Sequence, residues 1–428
     1  MASHSTEGSF ALKLPVEIWR VVIISAVQSL EPMDNCHEAS ESLTTQFHLA
    51  RRVTSKSPEY ALMLVCKVLN TIAIEFFYER ISVRSKGQLI ALTEGLKSPR
   101  IANYMANWTR RFDFNHWRTP EYNNRDKGLL VRVLRSCPNL THLVIDLAMH
   151  ESKVGAKARD ASAVIDACAK SCKRLEVLHL AFNFTTYMSA QMPLGVFLTT
   201  FRNIKTLRLG KNAKIAFPEE ARVHPGELPF LHTFEACEDA SLSPFTDVRL
   251  PSLSTVHFRG KHFPSYGEVP YALLGFISTH GNKLTTLTFI GVVQDYPAFA
   301  REVVPLLVGC TRLQAFVTDI IDLVPLLRFD QLVLSQLTRL ELSNDSSAWP
   351  PSPSGFRATL IADLRAHFPS LEVLRWLGRV DKDVTSHNTR EGLDPSEGGT
   401  DAHHANAAGI QIENRDGDKL ELCQLLVQ

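Results

Sequence analysis

The most regular pattern in the chain is an apolar residue followed by further apolar residues three and five positions later. It occurs nine times between residues 137 and 378, in phrases such as CPNLTHLVIDL and LSQLTRLELSN. Successive first apolar positions are 22 to 35 residues apart. A fixed phrase at such a period predicts a solenoid, in which each repeat is one supersecondary unit stacked on the next. The first apolar positions are Leu140, Leu175, Ile204, Leu231, Leu253, Leu284, Leu313, Leu337 and Leu371.

Each phrase predicts a short strand, because positions plus three and plus five from the first apolar residue lie on one face of a strand. Helical periodicity follows between the phrases, at residues 126–136, 159–170, 271–279, 297–308 and 355–367. The interval after Leu231 lacks it and the interval after Leu313 contains Pro325, so these repeats should return through loops or short turns. A degenerate strand is expected at residues 111–114. The predicted class is α/β, a leucine-rich-repeat solenoid (horseshoe) of about nine to ten irregular repeats.

Strand alternation also predicts the binding face of this solenoid. If positions plus three and plus five face the core, the plus-two and plus-four rows line the concave face. Neighbouring strands lie about 4.8 Å apart, so adjacent side chains can contact one extended peptide together. If that binding requires the histidines to be neutral, it weakens at low pH, where they become protonated. A solvent-facing strand surface explains part of the same polar pattern. The residues predicted to bind a substrate are His179, Arg208, Glu235, His257 and Thr288 of the plus-four row and Thr206, Thr233, Thr255 and Thr286 of the plus-two row.

Composition narrows the class of protein further. The 428 residues are 45% hydrophobic and 21% charged, with a net charge of +1, which is typical of a soluble globular chain. A nearly neutral chain argues against binding to nucleic acid or to an anionic membrane. The apolar runs are too short to cross a bilayer, and the first residues lack the pattern of a signal peptide. Eight cysteines in a chain of this length do not suggest a disulfide framework, so we expect the cytoplasm, the nucleus or both.

Catalytic signatures are missing from the sequence. It contains no P-loop, no GxGxxG after a strand, no HExxH and no GxSxG. No set of Cys and His has the spacing of a zinc site. We therefore expect a non-enzymatic recognition protein with no cofactor and no metal.

Two apolar segments precede the repeats, within residues 12–23 and 61–81, with a polar insertion at about 28–59 between them. The first begins with Leu14-Pro15, a proline placed at the start of a helix. Residues 1–11 are expected to be a disordered tail.

After the repeats, residues 379–409 are polar and predict a flexible linker. In residues 410–428, apolar and polar positions alternate around Asp416-Gly417 and predict a hairpin that can cap the solenoid.

The phrases LPVEI at residues 14–18, VCK at 65–67 and FFYERISVRS at 76–85 resemble an F-box. The resemblance is to the F-box-like variant found in fungal proteins with degenerate leucine-rich repeats. It implies a helical module over residues 12–84, followed by the repeats over 85–378. It also implies docking onto the Skp-type adaptor of a cullin–RING ubiquitin ligase. The adaptor-facing residues implied by the resemblance are Leu14, Pro15, Ile18, Val22, Ile23, Leu64, Val65, Cys66 and Leu69.

The expected function is therefore substrate recognition for a ubiquitin ligase. The N-terminal helices would bind the adaptor and, through it, a cullin, while the concave face would bind a protein substrate. The alternative is a leucine-rich-repeat scaffold or inhibitor with no link to a ligase. In that case the N-terminal helices would only cap the solenoid.

Overall fold

One parallel sheet dominates the fold. The computed structural model describes residues 15–28, 67–116, 124–147, 162–182, 187–189, 194–210, 214–216, 226–237, 242–259, 271–290, 299–343, 363–376 and 410–413. Within these residues, 12 strands form the sheet, and their order follows the chain. They are β1 (Arg80–Val83), β2 (Arg111–His116), β3 (His142–Leu147), β4 (Val177–Phe182), β6 (Thr206–Leu209), β8 (Thr233–Ala236), β9 (Thr255–Arg259), β10 (Thr286–Ile290), β11 (Ala315–Asp319), β12 (Arg339–Ser343), β13 (Val373–Trp376) and β14 (Gln411–Glu413). The strands β5 (Tyr187–Ser189) and β7 (Lys214–Ala216) pair in a separate two-stranded sheet.

Helices supply many of the return segments, as parallel strands require a crossover. The helices are α1 (Val16–Gln28), α2 (Lys67–Glu79), α3 (Lys86–Gly95), α4 (Pro99–Trp108), α5 (Asn124–Arg135), α6 (Ser162–Ser171), α7 (Leu194–Thr200), α8 (Tyr271–His280), α9 (Phe299–Val308) and α10 (Ile320–Leu326). Short 3-10 turns occupy Ser243–Phe245 and Gly281–Lys283. The predicted α/β solenoid is confirmed at this level. None of the helices in the described ranges is long and apolar enough to cross a membrane.

The core lies on the helix side of the sheet, where the plus-three and plus-five rows point. Leu178, Leu207, Leu287 and Leu340, which the repeat register places inside, are all buried. Aromatic rings continue the same rows: Phe258 lies 5.5 Å from Phe289, which lies 6.0 Å from Phe316, between ring centroids. Phe258 and Phe289 are direct partners in the strand register, whereas Phe316 is opposite Leu287 and meets Phe289 diagonally.

A tight turn introduces the strand of each of the nine repeats and explains the residue at the start of the phrase. The amide of the first apolar residue donates to the carbonyl three positions earlier, as in Leu140 to Cys137 (3.2 Å) and Leu371 to Phe368 (3.1 Å). The residue that begins the turn is itself buried at Cys137 and at Phe368. Cysteine, leucine, phenylalanine or, at Gly281, glycine can begin the phrase, because the site requires this turn and a residue that tolerates burial.

Several elements differ from the sequence expectation. Residues 80–83, placed in the helical module, form β1, the first strand of the sheet. The return after Leu231 is a 3-10 turn, as expected, whereas the return after Leu313 is a short helix that contains Pro325. The helices α3, α4 and α7 were not predicted. The start of the predicted C-terminal hairpin pairs parallel to β13 as β14, and residues 414–428 lie outside the described residues.

Candidate binding surfaces

The helices α1 and α2 form a small core of their own, separate from the core of the solenoid. It consists of Ile23, Leu69, Ile72 and Ala73, all buried, with Trp19 and Phe76 packed at its margin. An ion pair joins the two helices on the outside, with Arg20 Nη2 3.1 Å from Glu75 Oε2. The N-terminal segments thus pack as a pair, although residues 29–66 between them lie outside the described residues.

The outer face of α1 remains apolar and exposed. Ile18, Val21 and Val22 are spaced three and four residues apart and therefore share one face of the helix. Their exposed fractions are 46%, 60% and 47%. Pro15, at the start of the same helix, is exposed as well. A contiguous apolar stripe of this kind on a helix surface is a candidate interaction site.

Two residues of the implied adaptor set occupy a different place. Ile23 and Leu69 are buried between α1 and α2, so they hold the helix pair together and cannot contact an adaptor. The helical period separates Ile23 from the exposed stripe, because it falls on the side of α1 that faces α2. Leu14, Leu64, Val65 and Cys66 lie outside the described residues.

The second helix is joined directly to the solenoid. α2 ends at Glu79 and β1 begins at Arg80. Tyr78 packs on Tyr104 of α4 with ring centroids 5.6 Å apart, and Tyr104 stacks on Trp108 at 4.7 Å. Thr109 Oγ1 also donates to the carbonyl of Tyr78 at 3.0 Å. α2 therefore covers the first edge of the solenoid and carries α1 on its far side.

The predicted substrate-binding residues share the face of the sheet opposite the core, which we call the polar face. The register aligns the plus-two residues Thr206, Thr233, Thr255 and Thr286 on four neighbouring strands. All four are half-buried. The structure thus confirms the placement of this row. Whether a substrate binds there remains a prediction.

The centre of the plus-four row is less accessible than the sequence suggested. The row runs in register from His179 through Arg208, Glu235 and His257 to Thr288, but His179, Glu235 and Thr288 are buried. Their side chains contact each other across the strands: Arg208 Nε lies 3.4 Å from Glu235 Oε2, and His257 Nδ1 lies 2.8 Å from Thr288 Oγ1. The expectation of an open line of hydrogen-bonding tips is therefore wrong for these three residues, because all three are buried and two of them, Glu235 and Thr288, also contact a side chain on a neighbouring strand.

Burial also fixes the charge of His179. Burial, followed by the charge of the neighbouring Arg208, lowers the pKa of the imidazole to about 4, whereas Glu235 acts in the opposite direction. Burial followed by the charge of Arg111 likewise lowers the pKa of His142. Both rings are therefore neutral at pH 7 and do not add positive charge to the polar face.

Arginine–carboxylate clusters occupy the two ends of the polar face. At the first strands, Arg80 Nε lies 3.2 Å and Arg111 Nε 2.9 Å from the carboxylate of Asp113. At the last strands, Arg339 Nε lies 2.6 Å from Glu341 Oε1, while Arg375 lies 3.9 Å from Glu341 and 2.8 Å from Glu413. The sequence analysis missed the first cluster because Arg80 lies in a strand that it did not predict. The alternation of Arg80, Ser82 and Arg84 with apolar residues is the signal that identifies that strand.

No site for a metal ion is evident in the described ranges, since no three His, Cys, Asp or Glu side chains are grouped to hold one. The cysteines at positions 137, 168, 172, 237 and 310 are free thiols, all buried. Burial raises the pKa of Cys137 and of Cys310 to about 12, so both stay protonated and serve as apolar packing groups.

Comparisons with known proteins give little beyond this geometry. No family model matches the chain, and no curated protein matches it. Among solved structures, 23 chains match. One is the crystal structure of the Rad7 and Elc1 complex in yeast, at 13% identity over 75% of this chain and 76% of that chain, with a TM-score of 0.31. A likeness of that size decides neither fold nor function, which rest on the residues described above.

Proposed function

We propose that this chain is a leucine-rich-repeat protein of the F-box type that recruits substrates to a cullin–RING ubiquitin ligase. The N-terminal helices bind a Skp-type adaptor, and the polar face of the sheet binds the protein substrate. The chain brings the two together and catalyses no reaction itself, so it needs neither cofactor nor metal. It works in the cytoplasm, the nucleus or both, in keeping with free, buried thiols.

The observation that carries the proposal is the exposed apolar stripe of Ile18, Val21 and Val22 on α1. Each of these residues is about half exposed, whereas the opposite side of the helix packs against α2. Complete burial of an exposed side chain of this size contributes roughly 1.5–3 kcal/mol, so each of these half-exposed residues can contribute roughly half of that to a complex. The stripe belongs to the segment with the F-box-like phrase LPVEI, which supports a Skp-type adaptor as the partner.

The attachment of the helices supports a receptor in which the two binding surfaces keep a constant distance. α2 runs directly into β1 and is fixed to α4 by the contacts of Tyr78. α1 is fixed to α2 by its core and by the Arg20–Glu75 pair. An adaptor on α1 would therefore be presented at a defined position relative to the polar face.

The alternative function, a scaffold with no link to a ligase, is favoured by one feature of α2. This helix covers the first edge of the solenoid, as a cap would. Capping does not account for α1, however, because its exposed stripe points away from the helix that it packs on. The two functions thus differ in whether α1 has a partner.

Co-purification of the full chain with a Skp-type adaptor tests the proposal. Val22→Glu places a charge in the middle of the stripe, and Val333→Glu is the matched control, because Val333 has a similar exposed fraction of 45% far from α1 in sequence. We expect Val22→Glu to reduce adaptor binding at least tenfold and Val333→Glu to leave it unchanged. If the wild-type chain does not retain the adaptor, or if Val22→Glu binds as well as wild type, the proposal is wrong.

A further inference from the structure

Four carboxylates of the polar face follow a common pattern. Each lies next to an arginine of its own strand or of a neighbouring strand, and such a partner offsets the cost of removing a carboxylate from water. The distances are 2.9 Å for Asp113 with Arg111, 3.4 Å for Glu235 with Arg208, 2.6 Å for Glu341 with Arg339 and 2.8 Å for Glu413 with Arg375.

Asp146 on β3 departs from this pattern. Alternation with the buried, inward residue Ile145 places its side chain on the polar face, where it is only 2% exposed. Its Oδ1 has no hydrogen-bond partner among the described residues, and burial alone raises the pKa of the carboxyl group to about 7. His179, diagonally across on β4, does not supply the missing charge, because its pKa of about 4 leaves it neutral at pH 7.

An unpartnered carboxyl group in this position is a cost to the folded chain. Buried polar groups in proteins normally have a hydrogen-bond partner, because an unpaired one has lost water and gained nothing in exchange. Binding proteins keep such costly groups where the partner arrives with a ligand, so that stability of the free chain is traded for recognition. The position of Asp146 on the face proposed to bind a substrate therefore points to a ligand that carries a cation.

The row beside Asp146 leaves space for a ligand side chain. The register partner of Asp146 on β4 is Ala181, which is half-buried, so solvent reaches this part of the row. Gly210 comes next, since its amide donates to the carbonyl of Leu180 at 2.7 Å. In this row, therefore, neither β4 nor β6 places a long side chain beside the carboxyl group.

We propose that Asp146 anchors a lysine or arginine side chain of the protein substrate, which reaches the carboxylate across Ala181 and Gly210. The cation supplies the charge-assisted contact that the other four carboxylates have within the chain. This inference rests on the proposed function and specifies its substrate, which must present a basic residue. It places the anchor at the carboxyl end of β3, next to the self-paired centre of the polar face.

Fluorescence anisotropy tests the inference with the full chain and a labelled glycine–serine peptide that carries two central lysines. The same peptide with two glutamines is the reference. Above pH 7 we expect wild type to bind the lysine peptide at least fivefold more tightly than the glutamine peptide. Asp146→Asn keeps the size of the side chain and should abolish this preference. Asp363→Asn makes the same change of charge at an exposed position and should preserve it.

A second pair of variants tests the space beside the carboxyl group. Ala181→Leu should weaken binding of the lysine peptide at least fivefold, because the added side chain occupies the path to Asp146. Ala315→Leu is the matched control, since Ala315 is also half-buried on the polar face, on β11, and it should change binding less than twofold.

The pH dependence separates an anchoring role from a structural one. The preference for lysine should grow between about pH 6 and 8, because the cation binds the ionised form of Asp146. The described titratable groups that face it from β2 and β4 are Asp113, which is paired with Arg80 and Arg111, and His179, whose pKa of about 4 lies below this range.

Equal binding of the lysine and glutamine peptides by wild type overturns the inference, and so does a preference that survives in Asp146→Asn or that does not vary with pH. Tighter binding of a peptide with two central glutamates also overturns it. Adaptor co-purification reports separately on the proposed function, and Asp146→Asn should leave it unchanged. A chain that retains the adaptor but shows no preference for lysine refutes this inference alone.

Discussion

Asp146 offers a sharp test of how the polar face is built. It follows the plus-four position of β3 by two residues and faces Asn115 and Ala181 on the neighbouring strands. It is buried, and its Oδ1 has no hydrogen-bond partner among the described residues. Burial without a cationic partner penalises the ionised form and raises the pKa of the carboxyl group from 3.8 to about 7. We predict that Asp146→Asn stabilises the protein above pH 7.

The sign and size of the effect follow from linkage. A carboxyl group with a higher pKa in the folded chain binds its proton more tightly there, so ionisation at high pH costs more in the folded state. Below about pH 4 the group is protonated in both states and costs nothing. Between pH 4 and 7 the free energy of unfolding falls as pH rises, and above pH 7 the full penalty applies. A pKa of about 7 instead of 3.8 corresponds to at most about 4 kcal/mol.

Urea titrations of wild type and Asp146→Asn at pH 4 to 8, followed by circular dichroism, measure the difference. We expect the variant to be more stable by about 2–4 kcal/mol at pH 8, and equal to wild type within about 1 kcal/mol at pH 4. Asp363→Asn is the control, because it makes the same change of charge at an exposed position. A difference that does not vary with pH would refute the reasoning, and so would a variant less stable than wild type at pH 8.

Three further outcomes test the packing. Leu287→Ala should cost about 2–5 kcal/mol in urea unfolding, whereas Thr286→Ala, one residue away on the polar face, should cost less than about 1 kcal/mol. A side chain at position 210 would meet Ala181 Cβ at 2.6 Å, so Gly210→Ala should separate β4 from β6 and cost about 1–3 kcal/mol. By contrast, Gly128 lies in α5 with nothing within 4 Å of an added Cβ, so Gly128→Ala should stabilise by about 0.5–1 kcal/mol. If Gly210→Ala and Gly128→Ala shift the melting temperature in the same direction, this account of the strand spacing is wrong.

The inward rows of the solenoid were predictable because they follow from a local rule. Two apolar side chains two residues apart in a strand must face the same way, and Leu207 and Leu209 are both buried, as that rule requires. The same rule placed Thr206 and Arg208 on the opposite face. β1 was not predicted, because its inward residues, Ile81 and Val83, directly follow a helix and lack the turn that introduces the later strands. β1 belongs to the sheet because it pairs with β2, and a long-range pairing of this kind cannot be inferred from the local sequence.

Burial within the polar face was not predictable from alternation. Alternation predicts to which face of the sheet a side chain points. It does not predict which side chains of the adjacent strands lie beside it. Glu235 is buried because Arg208 and His257 flank it in register, and the spacing between those residues in the sequence does not reveal that alignment. The helix pair shows the same limit: the resemblance grouped Ile18, Val22 and Ile23 together, but only the packing of α2 separates the exposed residues from the buried one.

Arginine–carboxylate pairs occur at the first strands, the centre and the last strands of the polar face. A buried carboxylate beside an arginine stabilises the sheet only if the pair is complete, because an unmatched charge in a desolvated position is costly. The centre and the last strands satisfy that condition internally, so they offer little to a charged partner. The first strands likewise pair Asp113 with Arg80 and Arg111. Most of these pairs join neighbouring strands, so the charged groups of the polar face contribute to the packing of the sheet.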